Sequence, residues 1–182
     1  MKASSTLRPP KPLTSVLIKP AGPDCNLNCT YCFYLQKDAM FPEVKKHRMT
    51  EPILKEMVKQ IMRAGGQNVS FGWQGGEPTL MGRQFFEKAV QYQERFGRDG
   101  QTVGNGLQTN GVLIDEGWAK FLADSKFLVG LSLDGPEHIH NKYRRLKGDQ
   151  PSWHRVTNAR DTLLKAGAEV NALIVVNDYS VN

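Results

Sequence analysis

Three cysteines that lie close together in the sequence are the residues best suited to chemistry. Cys25, Cys29 and Cys32 are the only cysteines of the chain, and they have the spacing CxxxCxxC. Thiolates are the usual ligands of iron–sulfur clusters, and each of the four irons of a cubane [4Fe-4S] cluster normally takes one cysteine. Three cysteines would hold such a cluster and leave one iron open to another ligand. A reaction could take place at that open iron.

Other uses of three cysteines fit the sequence less well. A disulfide framework uses an even number of cysteines in a secreted chain, whereas this count is odd and residues 1–20 contain no apolar signal segment. A structural zinc site needs a fourth ligand at short spacing, and the nearest histidine, His47, lies in a basic stretch. Zinc and three unliganded buried thiols stay as alternatives to the cluster.

The composition predicts one soluble globular domain. The chain has 182 residues, of which 40% are hydrophobic and 23% charged, and this is enough apolar surface for a core. No apolar stretch approaches the roughly 20 residues of a membrane helix, and three grouped cysteines predict a reducing, cytoplasmic setting. The net charge of +6 is spread along the chain without interleaved aromatic residues, so we expect neither a nucleic acid nor a membrane as partner.

Short β-type segments alternate with amphipathic helical patterns along the chain. After a Pro- and Ser-rich arm at residues 1–15, five segments are predicted to be strands: Val16–Lys19, Val69–Trp73, Val103–Gln108, Phe127–Leu133 and Val170–Val176. Helices are predicted between them, with N-terminal signals that include Thr50, Asp115 and Ser152. The alternation predicts a parallel sheet wrapped by helices.

Polar motifs follow four of the predicted strands. The cysteine loop follows the first strand, GGEP at residues 75–78 the second, QTNG at 108–111 the third and SLDGP at 132–136 the fourth. Ligands of parallel α/β folds collect at the carboxyl ends of the strands, so we expect these loops to meet at one edge of the sheet. Alone, GGEP would indicate an ordinary strand-to-helix turn.

These motifs resemble those of the radical S-adenosylmethionine superfamily, and more narrowly those of its anaerobic sulfatase-maturating branch. The similarity extends over KPAGPDCNLNCTYCFY at 19–34, VSFGWQGGEPTLMG at 69–82 and LVGLSLDGP at 128–136. The resemblance implies a [4Fe-4S] cluster on Cys25, Cys29 and Cys32, with S-adenosylmethionine on the fourth iron. It also implies an α/β fold, a partial (β/α)6 barrel of the TIM type. Residues 16–182 would form an incomplete core that is truncated after about five strands.

The resemblance implies roles for the residues that follow the second and fourth strands. Glu77 would receive the ammonium group of S-adenosylmethionine, and Gly75 and Gly76 would let the backbone approach the cofactor. Arg144 would bind the carboxylate of the cofactor. A surface ion pair is the alternative for Arg144.

Two further cofactor contacts and two substrate contacts are implied in the same way. Tyr31 would lie against the adenine or, alternatively, shield the cluster from water, and Ser132 would hydrogen-bond the cofactor unless the backbone satisfies its hydroxyl. Tyr34 and Gln74 correspond to positions that line a peptide-substrate pocket in the branch. Packing for Tyr34 and a polar strand end for Gln74 are the alternatives.

Four other polar residues lie in the same motifs. Gln108 and Asn110 end the third strand and could contact cofactor or substrate. His138 and His140 have a spacing that would place both on one face only in a strand, and the resemblance predicts a loop there that leads to Arg144. We therefore do not expect a second metal site at these histidines.

The implied function is that of an enzyme. It would cleave S-adenosylmethionine reductively to a 5′-deoxyadenosyl radical and oxidise a cysteine or serine of a sulfatase peptide to formylglycine, with flavodoxin or ferredoxin as electron donor. The acid–base aspartate and the cysteine-rich extension of the branch are expected beyond Asn182, so no catalytic residue is assigned in this chain. One alternative is a related enzyme that forms thioether or carbon–carbon bonds in a peptide. The other is a non-catalytic remnant that binds a cluster or zinc.

The last predicted strand bears on the extent of the fold. Its sequence is apolar on both faces, as in a buried parallel strand, and no covering element follows it. We therefore expect this chain to be the N-terminal part of a longer barrel, with an apolar edge that promotes association.

Overall fold

The described part of the chain, residues 11–37, 40 and 42–181 of a computed structural model, is built around one parallel sheet. Its strand order is β1-β2-β3-β4-β5, and each neighbouring pair is parallel. The strands are β1 (Leu13–Ile18), β2 (Gly65–Trp73), β3 (Thr102–Thr109), β4 (Phe127–Ser132) and β5 (Glu169–Leu173). The predicted α/β class and parallel sheet are confirmed, and the sheet does not close into a barrel within the described residues.

Helices connect consecutive strands, as the sequence pattern predicts. They are α1 (Glu51–Ala64), α2 (Arg83–Phe96), α3 (Glu116–Asp124), α4 (Glu137–Tyr143) and α5 (Trp153–Lys165), with a 3-10 helix at Pro78–Met81. Helix α1 begins after Thr50 and has a proline in its first turn. The N–H group that proline lacks would have no hydrogen-bond partner within the helix at this position. The Asp115 carboxylate accepts a hydrogen bond from Trp118 N at the start of α3, so the predicted cap is confirmed.

The core lies between the helices and one face of the sheet. Phe86 of α2 packs edge-on against Trp73 and Trp118, with ring centroids 5.5 Å apart in both pairs, and is fully buried. A buried amide pair lies in the same layer: Asn105 and Gln93 hydrogen-bond each other through both side-chain groups, and Asn105 Oδ1 also accepts the indole N–H of Trp73. These polar groups are satisfied by one another, which is the condition for burying them without a large penalty.

The other face of the sheet is open. Leu17, Gly72, Gly106 and Leu128 pair in register across β1 to β4, and Leu17 is 62% exposed while Leu128 is 44% exposed. Glycines at two of the four positions leave room beside the sheet. None of the helices in the described part of the chain combines the length and the apolar character that a bilayer span requires.

Two boundaries differ from the predictions at the ends of the sheet. Strand β1 begins at Leu13, so three residues assigned to the N-terminal arm belong to the sheet, while residues 1–10 of that arm lie outside the described part. Strand β5 ends at Leu173, and residues 174–176 are 37–72% exposed. The chain turns away here because Val175 N donates to Asp134 Oδ1 at 3.0 Å. The prediction of a strand buried on both faces through Val176 is therefore wrong.

The segment between β4 and α5 also differs from its prediction. Residues 137–143 form helix α4, not a loop, and His140 on this helix is fully buried. Ser152 lies at the N-cap position of α5, but its hydroxyl does not cap the helix. It donates to Arg144 O at 2.7 Å and lies 2.9 Å from His140 Nε2. Because Asp134 N donates to His140 Nδ1 at 3.3 Å, the neutral Nε2–H form of the imidazole satisfies every contact.

This histidine predicts a pH dependence of stability. Burial, with a smaller effect of the positive charge on Arg144, lowers the pKa of His140 from 6.5 to about 4. Between the pKa of the unfolded chain and that of the folded protein, the unfolded chain binds more protons. The free energy of unfolding of the protein should therefore fall as the pH is lowered from about 6.5 towards 4. Urea melts across this range measure the slope.

The variant His140→Gln should flatten that slope, because it removes the titrating group. His154→Gln is the matched control, since the His154 side chain is 76% exposed. An unchanged slope in folded His140→Gln would contradict the assignment.

Candidate cofactor site at the carboxyl ends of the strands

The cysteine loop follows β1 and is held by a short ion-pair network. Asp24, one residue before Cys25, accepts hydrogen bonds from His47 N at 3.0 Å, from His47 Nδ1 at 2.8 Å and from Arg48 Nη1. Burial alone would raise the pKa of Asp24, but these hydrogen bonds hold it below its ordinary value of 3.8. The loop is thereby tied to the segment that leads into α1, which also donates Met49 N to Pro20 O.

The three cysteines line one cavity of about 780 Å³. Cys29 is buried, while Cys25 and Cys32 are partly buried, and all three are free thiols. Burial raises the pKa of Cys25, and it raises the pKa of Cys29 to about 11, with the neighbouring thiols adding to the effect. These shifts favour the protonated thiols, and a cysteine must lose its proton to bind a metal as a thiolate.

The size and the cysteine lining of this cavity suit an iron–sulfur cluster. Its volume lies in the range of cofactor pockets, and its lining includes all three cysteines together with Asp24 and His47. Within the described residues, no three His, Cys, Asp or Glu side chains converge as they would around a single metal ion. The ligands of a cubane bind different irons and need not meet at one point.

The glycines of GGEP allow the loop after β2 to pack closely against the cysteine loop. Gly76 N donates to Gly22 O at 2.9 Å, and Glu77 N donates to Asp24 O at 2.7 Å. A Cβ at Gly76 would lie 2.1 Å from Asp24 O, and Gly75 has a φ of +126° that disfavours other residues. The two motifs predicted to share an edge of the sheet are therefore in direct backbone contact.

Glu77 is fully buried among protein donors. Its Oε1 accepts from Thr79 N at 2.9 Å, Thr79 Oγ1 at 2.6 Å and Thr109 Oγ1 at 2.8 Å, while Oε2 accepts from Asn110 N at 2.7 Å. Burial raises the pKa of this carboxyl, and the hydrogen bonds oppose that rise. Glu77 thus joins the ends of β2 and β3. Thr79 and Thr109 were not singled out from the sequence, because only the fold brings them to the carboxylate.

A second buried carboxylate organises the other side of the site. Asp134 accepts from Arg144 Nε at 2.8 Å and Nη2 at 3.3 Å, from Tyr31 Oη at 2.5 Å and from Val175 N at 3.0 Å. Burial would raise the pKa of Asp134, but the bonds from Arg144 and Tyr31 keep it below 3.8. The Arg144 guanidinium also lies 5.4 Å from the centre of the Tyr31 ring. The alternative of a surface ion pair for Arg144 is excluded, since this pair is buried.

Asp134 is a further residue of this site that was not singled out from the sequence. It lies in the SLDGP motif, two residues after Ser132, and a carboxylate at the end of a predicted buried strand was the available signal. Ser132 itself is the last residue of β4, partly exposed, and is in register with Leu173 of β5.

The two residues assigned to a substrate pocket line different cavities. Tyr34 lines the cysteine cavity, and Lys19 Nζ lies 5.4 Å from the centre of its ring. Gln74 lines a separate cavity of about 180 Å³ on the open face of the sheet, together with Gln108. Of the two histidines of EHIHN, His138 is exposed and His140 is buried.

Comparisons with known proteins agree with this geometry. The chain is 44% identical over 165 residues to a cysteine-type anaerobic sulfatase-maturating enzyme of Clostridium perfringens, covering 91% of this chain and 45% of that protein. It is 38% identical over 181 residues to a serine-type anaerobic sulfatase-maturating enzyme of Bacteroides thetaiotaomicron, covering 99% of this chain and 43% of that protein. The chain thus spans less than half the length of each of these two relatives.

Solved structures and a family model lead to the same assignment. The fold superposes with a TM-score of 0.83 and 44% identity on native anSMEcpe with bound AdoMet and the Cp18Cys peptide, covering 91% of this chain and 44% of that one. A histidine-tagged anSMEcpe with bound AdoMet gives a TM-score of 0.85 and 44% identity, covering 93% of this chain and 44% of that one. The model of the Radical SAM superfamily matches residues 20–179. The chain therefore belongs to the radical S-adenosylmethionine superfamily.

Proposed function

We propose that this chain forms the cofactor-binding core of an enzyme that oxidises a cysteine or serine of a sulfatase peptide to formylglycine. The observation that carries the proposal is the single cavity lined by Cys25, Cys29 and Cys32 at the carboxyl ends of the strands. Relatives of both the cysteine type and the serine type support the reaction class. A neighbouring structure that holds AdoMet and a peptide supports a peptide substrate.

Membership of the superfamily implies a [4Fe-4S] cluster and S-adenosylmethionine as cofactors. When bound, the cluster would supply the electron for cleavage of S-adenosylmethionine to methionine and a 5′-deoxyadenosyl radical, which would remove a hydrogen atom from the substrate. Cys25, Cys29 and Cys32 would hold the cluster. The electron would come from a small redox protein such as flavodoxin or ferredoxin, in a reducing cytoplasm.

The chain's own groups would orient S-adenosylmethionine. Asp134 engages Nε and Nη2 of Arg144, and among the described residues nothing hydrogen-bonds Nη1, so this nitrogen is the donor we assign to the methionine carboxylate. Tyr31, fixed by its bond to Asp134, would lie against the adenine, and Ser132 would add a hydrogen bond. The Asp134 carboxylate therefore positions two of the proposed contacts at once.

Glu77 would both position the loops and receive the ammonium of S-adenosylmethionine. Its Oε1 already accepts three hydrogen bonds from the protein, whereas Oε2 accepts one, so Oε2 is the oxygen with a lone pair left for the ammonium. Gly75 and Gly76 would keep the backbone close to the cofactor. Tyr34 and Gln74 stay as proposed substrate contacts from two sides of the β2 end, with Tyr34 in the cysteine cavity and Gln74 on the open face of the sheet.

Anaerobic reconstitution with iron and sulfide tests the proposal directly. We expect about four irons per chain, broad absorbance at about 400 nm, and release of 5′-deoxyadenosine after reduction with S-adenosylmethionine present. Cys29→Ala should abolish all three. Thr30→Ala is the matched control, because Thr30 is an exposed neighbour in the same loop.

About one zinc per chain and no cluster would instead support the non-catalytic alternative. The reaction class needs a separate assay with cysteine- and serine-containing sulfatase peptides in the context of the longer protein. Mass spectrometry distinguishes formylglycine from a thioether or carbon–carbon cross-link.

Substitution of Gly76 tests the contact between the two loops. In Gly76→Ala the added methyl would lie 2.1 Å from Asp24 O and 2.5 Å from Pro23 O, both backbone atoms, so the loops must separate. We expect lower iron retention and roughly ten-fold weaker binding of S-adenosylmethionine by calorimetry, or about 1.4 kcal/mol.

Gly104→Ala serves as control for this substitution. Its added methyl meets only Ser70 Oγ at 3.6 Å, an ordinary contact on the sheet away from the cysteine loop. If Gly76→Ala binds iron and S-adenosylmethionine as tightly as Gly104→Ala, the proposed role of the glycine loop is wrong.

A further inference from the structure

The side-chain amide of Asn110 reaches the cysteine loop from the end of β3. Its Nδ2 lies 2.8 Å from Asn26 Oδ1 and 3.6 Å from Cys25 Sγ. The first distance is that of an ordinary hydrogen bond, and the second lies within the range for a bond to sulfur. Asn110 is therefore in contact with a residue that the proposed function assigns as a cluster ligand.

The orientation of this amide is determined by its neighbours. Val112 N, which can only donate, lies 3.0 Å from Asn110 Oδ1. Asn26 Oδ1, which can only accept, lies beside Nδ2. Both neighbours require the same arrangement of oxygen and nitrogen, so an N–H group faces the sulfur.

Asn110 is also held rigidly and out of water. It is 6% exposed, and its backbone N–H donates to Glu77 Oε2 at 2.7 Å. Glu77 in turn is anchored by Thr79 and Thr109. The carboxylate therefore fixes the amide at the position from which it meets the cysteine loop.

Cys25 differs in this respect from the other two cysteines. Its sulfur accepts from Leu27 N at 3.4 Å as well as from Asn110 Nδ2. Within the described part of the chain no N–H group makes such a bond to the sulfur of Cys29 or Cys32. Hydrogen bonds to ligand sulfurs stabilise negative charge, and they are one of the factors that set the potential of a cluster.

We propose that Asn110 is a tuning residue of the cluster: its N–H group donates to the Cys25 thiolate and raises the reduction potential of the [4Fe-4S] centre. The proposal rests on the proposed function, because it assumes that Cys25 ligates the cluster. The reduced cluster carries one more electron, and part of that charge lies on the sulfurs, so a donor at Cys25 favours the reduced state. Asn110 acts through Cys25 and need not touch S-adenosylmethionine.

A redox titration of the reconstituted chain tests this role. Dithionite supplies one electron per cluster, and the reduced state is followed by electron paramagnetic resonance. In Asn110→Ala we expect the equilibrium constant for reduction to fall about ten-fold, which is a shift of about 59 mV to lower potential for one electron.

Two other variants make the titration decisive. Asn105→Ala is the matched control, because Asn105 is a buried, hydrogen-bonded asparagine of β3, the strand that leads to Asn110, and its partners are Gln93 and Trp73. It should lower stability and leave the potential unchanged. Asn110→Leu keeps the approximate shape of the side chain and removes the N–H donor without adding a charge near the sulfur, which would lower the potential by itself. If Asn110→Ala does not fold, Asn110→Leu should show a shift of the same size.

The outcomes separate this inference from the proposed function. A wild-type chain that assembles no cluster overturns both. A wild-type chain with a normal cluster, and Asn110 variants whose potential equals that of wild type, overturn the role of Asn110 alone. An equal shift in Asn105→Ala would also overturn it, since the effect would then follow from general destabilisation. A shift confined to the Asn110 variants supports the assignment.

Discussion

The site depends on the burial of one carboxylate, that of Glu77. A buried carboxylate must find donors inside the protein, and Glu77 finds them in Thr79 on its own loop and in Thr109 and Asn110 at the end of β3. Its own N–H donates to Asp24 O in the cysteine loop. One residue thereby joins three of the loops at the carboxyl edge of the sheet. Loops of this kind are otherwise the most mobile part of an α/β fold.

Asp134 holds the fourth loop in place by hydrogen bonds, as Glu77 holds the other three. It holds Arg144 and Tyr31 from one side and accepts Val175 N from the segment after β5. The two carboxylates together leave the cysteines facing a cavity whose walls are held by buried hydrogen bonds. Because the ligands are already in place before the cofactor binds, less conformational entropy is lost on binding.

The parallel sheet and the cysteine site could be predicted because their signals are local. The spacing of Cys25, Cys29 and Cys32 lies within eight residues, and the strand and helix periods each repeat over short windows. The roles of Asp134 and Thr109 could not be predicted in this way. Asp134 is hydrogen-bonded to Tyr31, which is 103 residues away in the sequence, and Thr109 to Glu77, which is 32 residues away. Only the fold brings these residues together.

The wrong predictions have physical reasons as well. Helix α4 was missed because seven residues offer barely two turns of periodicity. The end of β5 was misplaced because Val175 follows an apolar pattern, yet its N–H bonds to Asp134 and not to a neighbouring strand. Ser152 has the residue type of a helix cap, but His140 and Arg144 O use its hydroxyl instead. For β5 and Ser152 a tertiary contact outweighed the local preference.

The central claim is that three cysteines hold a cubane with one iron open to S-adenosylmethionine. Mössbauer spectroscopy of the chain reconstituted with iron-57 tests it most directly, because the method resolves individual irons. We expect a [4Fe-4S] spectrum in which adding S-adenosylmethionine shifts the signal of one iron out of four and leaves the other three in place. A spectrum without a four-iron centre, or one that S-adenosylmethionine does not change, would contradict it.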